Sequence, residues 1–385
     1  MRVTFTPQQE EFRAEVRAFI AKEWHDRSAE PGVTAEESLE PAYHFARMLA
    51  ERRWLCVGWP PELGGAGFSI IEQAIFNEEI GYHLVEEPFR YGTHYAGPAI
   101  IVFGTPEQQQ RFLPGIAGAR DIWWQCFTEP NAGSDLASLQ TRAVRDGDSF
   151  VLNGTKIFVG DEQQPDFLYL PARTEPDAPK HRGISLFVVP ARSPGVTITR
   201  LTGLNGRVKT QVFLDDVRIG VDSLVGEENR GWYHIATTLD FERSGVSSNA
   251  RGRRHMDMLR QELAASPALR ARMSPSLRLR FAELEAELRV GRLLSWRVAW
   301  QQAQGRVPNH EASMSSLFSK LWSPRFAEAL VELYGEDALL SGEMGPLGGL
   351  AATEFLSSRS LHPGGTVNIQ RSIIATRGLG LPRGA

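Results

Sequence analysis

Cysteine is nearly absent, with Cys56 and Cys126 the only two in 385 residues. That is too few for a disulfide framework or a cysteine-based metal site, so the fold must stand without covalent staples and a cytoplasmic location is expected. A large charge of one sign is missing too. The formal net charge of −4 and pI near 6.2 argue against wholesale binding to nucleic acid or to an anionic membrane. Long apolar runs are also lacking. The N-terminal stretch MRVTFTPQQEEFRAEVRAFIAKEW is charged throughout, with amphipathic spacing at Phe12, Val16 and Phe19, which excludes a signal peptide or a membrane span there. The nine histidines show no metal-ligand spacing, and P-loop, H-E-x-x-H and G-x-S-x-G motifs are absent. Zinc and serine hydrolysis lose support, and no metal is expected.

What is present is organised in three blocks. The chain exceeds the roughly 250 to 300 residues at which a single core stops growing. From residue 1 to 119 helical periodicity is broken by turn clusters such as WPPELGGAGFS. From 120 to 227 the pattern is β-rich: SFVLNGTKIFVG flanks an Asn153-Gly154 turn, and ISLFVVPA, GVTITRL and TQVFLDDVRI follow, predicting an antiparallel β domain. From 228 to 385 helical spacing returns, with Leu277, Phe281, Leu284, Leu288, Ser295 and Val298 on one face of a helix that continues past Trp300, the seam of a helical bundle. Helices, strands, then helices predict an α+β fold. A Rossmann fold is disfavoured, because no G-x-G-x-x-G follows a strand and the glycine-rich RGLGLPRGA ends the chain. Arg251, Arg253, Arg254, Arg260, Arg270 and Arg272 form a basic run that is either a solvated face or a phosphate site.

Two stretches carry chemistry. In WWQCFTEPNAGSDLASL the hydroxyls of Thr128 and Ser134 and the backbone of Ala132-Gly133 suit close approach to a flat polar ring, with Trp124 and Phe127 beside it. In TTLDFERSGVSS a carboxylate, Glu242, falls in the slot between Leu239 and Val246 on an apolar stripe that also contains Trp232 and Ile235. Taken alone, that carboxylate reads as a structural partner of Arg243.

The phrase F-T-E-P-x-A-G-S-D-L resembles the flavin-contacting signature of the acyl-CoA dehydrogenases. The resemblance extends along the chain through FGTPEQQQRFLPGIAG, LNGTKIFVG, GISLFVVP, LVGEENRGW and GGTVNIQRSIIATRGLGLPR. It implies an N-terminal helical domain, a middle β domain and a C-terminal four-helix bundle that hold FAD. By position, Gln125, Phe127, Thr128, Ser134, Phe158, Gly160, Thr366 and Gln370 are the implied cofactor-binding residues, with Phe158 in the place usually held by a tryptophan. Ser134, Asp240 and Arg243 are the implied contacts to the acyl-CoA substrate. Many members place the catalytic glutamate immediately before the Gly-Thr of the C-terminal motif, where this chain has Gly364. A smaller branch, similar to isovaleryl-CoA and steroid side-chain dehydrogenases, carries it in Asp-x-Glu-Arg, and Asp240-Phe241-Glu242-Arg243 supplies that phrase. Glu242 is therefore the implied base, its pKa expected to rise by desolvation toward the roughly 6 to 7 useful for proton abstraction.

Two departures from the family pattern matter. Gly160 stands where a Thr or Ser hydroxyl is usual, and LRQELAASPALRARMSPSLRLRF, interrupted by Pro267 and Pro275, replaces an Arg-x-x-Phe-Gly that reaches a neighbouring subunit's FAD. Such losses resemble the α2β2 heterotetramers that act on bulky steroid-CoA substrates. The expectation is an FAD-dependent dehydrogenase of a branched or bulky acyl-CoA, passing electrons to an electron-transfer flavoprotein or a similar acceptor and assembled as a homo-dimer, homo-tetramer or α2β2 heterotetramer. The alternatives are a cofactor-poor partner subunit and a flavin monooxygenase on the same fold.

Overall fold

The computed structural model describes residues 3–25, 39–160, 163–239, 244–358 and 364–382. Its contacts divide the chain into two compact units, Met1–Ala42 with Phe68–Glu86 and Arg243–Ala385, and Tyr43–Gly67 with Glu87–Glu242.

The first unit is helical. It contains α1 (Pro7–Glu23), α3 (Ile70–Tyr82), α7 (Val246–Ala265), α8 (Pro267–Ala271), α9 (Pro275–Ala303), α10 (His310–Tyr334), α11 (Leu350–Ser357) and α12 (Val367–Ile373). Local sequence sets the helix starts. Thr6 and Ser69 form capping boxes with Gln9 and Glu72, and Ser266 and Ser274 each cap a helix whose first residue is proline. Pro267 and Pro275 thus cut one long connection into α7, α8 and α9. The expected seam is observed: Leu277, Phe281, Leu284 and Leu288 are buried against Met256, Leu259, Trp322, Phe326 and Leu330.

This unit also has an ionic centre. Glu78, buried on α3, accepts from Arg13 of α1 at 2.7 Å, Arg253 of α7 at 2.9 Å, Arg292 of α9 at 2.7 Å and the Trp296 indole at 3.3 Å. Burial alone would push its carboxyl up, but Arg292 and Arg13 outweigh it and hold the pKa at about 2. Arg260 pairs with Asp257, Arg272 donates to the Tyr334 carbonyl and to Asp337, and Arg270 donates to the Leu263 and Ala264 carbonyls. Much of the basic run is therefore spent on protein partners.

The second unit holds α2 (Glu40–Glu51), α4 (Gly97–Phe103), α5 (Pro106–Ala117) and α6 (Gly231–Leu239) around a seven-stranded sheet. The strands are β1 (Trp123–Gln125), β2 (Arg142–Asp146), β3 (Ser149–Val159), β4 (Phe167–Arg173), β5 (Ile184–Pro190), β6 (Val196–Thr202) and β7 (Val208–Gly220). They run in the order β1-β4-β2-β3-β7-β6, with β5 on β4. Most pairings are antiparallel as expected, yet β1 and β2 lie parallel to β4, because alternation reports burial and is silent on strand direction. The run ISLFVVP, apolar except for Ser185, is buried on both faces as β5.

Two sequence expectations need correction. Asn153-Gly154 is not a hairpin turn. β3 continues through it with a register shift against β7, and the β2–β3 connection is Gly147-Asp148. Here glycine serves close approach, since a Cβ at residue 154 would lie 2.7 Å from the Thr141 Cα, while the Asn153 side chain bonds Asp216 across to β7. The apolar stripe from Trp232 to Val246 is also not one helix. α6 is described to Leu239, Gly245 takes the left-handed φ +69, and Val246 begins α7, so the regular spacing runs across a break at Gly245.

Candidate functional site

The signature turn begins where β1 ends. Gln125 is the last β1 residue, paired in register with Tyr169 of β4, and the half-buried Phe127 ring lies 5.6 Å from the Tyr169 ring. The Thr128 carbonyl then accepts from the Ile157 amide at 2.8 Å, which sets Thr128 beside β3 immediately before Phe158. Ser134 is exposed on the turn, and the adjacent Asp135 carboxylate pairs with Lys180. The structure thus brings Gln125, Thr128, Phe158 and Gly160 to one corner of the sheet, with Ser134 on the turn that leaves it.

Phe158 is the unusual member. Its φ of +58° is left-handed, the register with β7 shifts between Ile157 and Val159, and the residue is 67% exposed. A bulky side chain in that region costs of order 1–2 kcal/mol, so the surrounding structure must impose it. An aromatic plane held out beside neutral donors and acceptors (the Gln125 amide, the Thr128 and Ser134 hydroxyls and main-chain groups) fits a flat, uncharged, hydrogen-bonding ring system such as isoalloxazine.

Gly160 closes the corner. Its φ is +61°, and a Cβ there would lie 2.2 Å from the buried Trp124 indole; its carbonyl accepts from the Lys209 ammonium at 2.6 Å. The absent hydroxyl has a physical cause, because the indole fills the volume a Thr or Ser side chain needs.

The remaining cofactor candidates lie in the helical unit. The Thr366 hydroxyl caps α12 by accepting from the Ile369 amide at 3.1 Å, and the Gln370 amide donates to the Gly364 carbonyl at 2.9 Å. Gly364 takes φ +68°, a backbone conformation that disfavours a longer residue there. Asp240, Glu242 and Arg243 lie outside the described residues.

Sequence reading missed the pair beneath this corner. Lys156 is fully buried; its ammonium reaches Glu129 Oε1 at 2.8 Å and the Pro171 carbonyl at 2.8 Å. Glu129 also accepts from the Gln140 amide at 2.6 Å and the Thr141 amide at 3.0 Å. Burial pushes the carboxyl up, but Lys156 and the two amides prevail and hold it low; burial pushes the Lys156 ammonium down, partly offset by Glu129. The available signal was a Glu inside the turn motif and a Lys at the centre of an otherwise uncharged strand.

The architecture of helices, inserted β domain and helices is that of the acyl-CoA dehydrogenase fold. The N-terminal, middle and C-terminal domain profiles of the acyl-CoA dehydrogenases match residues 6–120, 125–217 and 229–379, and the chain belongs to that family of oxidoreductases. It is 34% identical to the acyl-CoA dehydrogenase FadE26 of Mycobacterium tuberculosis, covering 100% of this chain and 99% of that protein. It is likewise 34% identical to the acyl-CoA dehydrogenase IpdE1 of the same organism over 98% of both. Among solved structures, the ChsE4-ChsE5 complex of that organism superposes with a TM-score of 0.89 at 33% identity, and the Tcur3481-Tcur3483 steroid ACAD with 0.87 at 32%, each over the full length of both chains. Among the described residues no helix is long and apolar enough to cross a membrane, and no cluster of His, Cys, Asp and Glu has the make-up of a metal site.

Proposed function

We propose that the chain is an FAD-dependent acyl-CoA dehydrogenase that introduces an α,β double bond into a branched or bulky acyl-CoA, a steroid side-chain thioester being the favoured class. The observation that carries this reading is the pairing of Gly364, where many relatives hold their base, with Asp240-Phe241-Glu242-Arg243. Glu242 removes the proton α to the thioester carbonyl, and Asp240 and Arg243 hold the CoA portion. Bound FAD supplies the acceptor for the β-hydride. Gln125, Phe127, Thr128, Ser134, Phe158, the Gly160 main chain, Thr366 and Gln370 orient the cofactor and exclude water, and Ser134 also meets the pantetheine arm. The electrons pass on to an electron-transfer flavoprotein or similar acceptor in the cytoplasm, a location consistent with two free, buried cysteines. Likeness to two-protein complexes supports assembly with a second copy or a homologous subunit.

The test is anaerobic titration of the FAD-loaded protein with branched and steroid side-chain acyl-CoA thioesters, following flavin bleaching. Bleaching by wild type and its loss of at least about 10²-fold in rate in Glu242→Gln are expected. Unchanged bleaching in the variant refutes the base assignment. One feature favours a second reading, a cofactor-poor partner subunit: the Trp124 indole occupies the place of the usual hydroxyl. FAD uptake only on co-expression with a homologue supports that reading, and stoichiometric FAD in the lone chain refutes it.

A further inference from the structure

We propose that the buried Glu129–Lys156 pair is a positioning device that presents Phe158 and Thr128 to the flavin ring. It rests on the flavin reading above. Thr128 immediately precedes Glu129, and Lys156 lies two residues before Phe158 on β3, so the pair joins the two segments that carry the candidate ring contacts. In a regular strand residues 156 and 158 share a face, and Phe158 would turn inward with Lys156. The register shift between Ile157 and Val159 and the left-handed φ at Phe158 break that alternation, leaving Lys156 and Val159 buried and Phe158 exposed.

The pair fastens this geometry from three sides. Lys156 ties β3 to the Pro171 carbonyl of β4 and to Glu129, and Glu129 draws the Gln140 and Thr141 amides in to close the signature turn. Its main-chain groups exchange two hydrogen bonds of 3.1 Å with Ala132, and the Thr128–Ile157 bond bridges turn and strand. A buried ion pair is weak stabilisation compared with apolar residues of similar volume, so a role in fixing position accounts for charge here better than a role in stability.

The test compares full-length wild type, Glu129→Gln, the double variant Glu129→Gln/Lys156→Met, and Phe158→Ala, each with its partner subunit if FAD uptake requires one. The double variant leaves no lone buried charge and is expected to fold with unchanged far-UV circular dichroism. In FAD-free protein the Gln140, Thr141 and Ile157 amides should exchange at least about 10-fold faster, while α9 amides keep their protection. FAD affinity should fall at least about 10-fold, and the visible circular dichroism of bound flavin should move toward that of Phe158→Ala. Glu129→Gln, which leaves the buried Lys156 ammonium without its counter-charge, should show the same changes to at least the same extent. A double variant that binds FAD like wild type with an unchanged flavin spectrum overturns the inference alone. A wild type that takes up no FAD, alone or with a partner, overturns the flavin reading and this inference with it.

Discussion

Replacing Glu78 by Gln should be the most damaging isosteric change in the helical unit, and its effect should depend on pH. Lowering the carboxyl from an ordinary 4.5 to about 2, at 1.36 kcal/mol per pH unit, makes its ionisation worth about 3 kcal/mol to the folded state. Arg253 and Arg292 are about one-third exposed and can rehydrate when the charge is removed, whereas the Arg13 side chain is only 11% exposed and cannot. The stabilisation is complete above the unfolded-state value near 4.5 and fades as pH falls toward 2. Urea unfolding of wild type and Glu78→Gln, read by tryptophan fluorescence, should differ by about 3 kcal/mol at pH 7 and by roughly half that near pH 3. Hydrogen exchange should loosen together on α1, α3, α7 and α9, which the carboxylate joins. A difference below about 1 kcal/mol at pH 7, or one constant from pH 7 to pH 3, refutes the reasoning.

Gly160→Ser should cost about 3 kcal/mol, from left-handed backbone and from collision with the Trp124 indole, measured as a lower unfolding midpoint; a variant as stable as wild type refutes the crowding argument. α9 should mediate assembly: Leu279, Ala286, Val290 and Leu293 share the face opposite the buried seam, and Leu279 is 62% exposed. Light scattering coupled to size exclusion should give at least twice 42.8 kDa, reduced by Val290→Glu, and a wild-type monomer that retains FAD refutes it.

The legible elements were those with one periodic signal and one environment. The α9 seam and the β5 run each follow from residues near in sequence, and so did the order of helices, strands and helices. Asn153-Gly154 misled because a strong local turn signal yields where the backbone must pass close to Thr141. The stripe through Glu242 misled in a related way: its spacing continued across the left-handed Gly245, and periodicity contains no term for a break. Glu78 and Lys156 were invisible for another reason. Their partners Arg13, Arg253, Arg292 and Glu129 are remote in sequence, and a charged residue without its partners in view reads as surface.

The candidate site shows why its motif residues were easier to find than their supports. Thr128, Ser134 and Phe158 offer chemistry of their own, so residue type alone marks them, but where they point is decided by groups that never meet a ligand. At Phe158 the strain of the left-handed backbone must be borne by neighbours, and those within reach are the Ile157–Thr128 hydrogen bond and the Lys156 anchor. At Gly160 the same logic runs in reverse, since Trp124 takes the volume and leaves only backbone to offer. A corner so built trades a side-chain hydroxyl for a packed indole. At Gly160 the polar edge is therefore carried by main-chain groups, on the strand whose position depends on the buried pair beneath it, and disturbing Glu129 or Lys156 should reach any bound ring without either residue touching it.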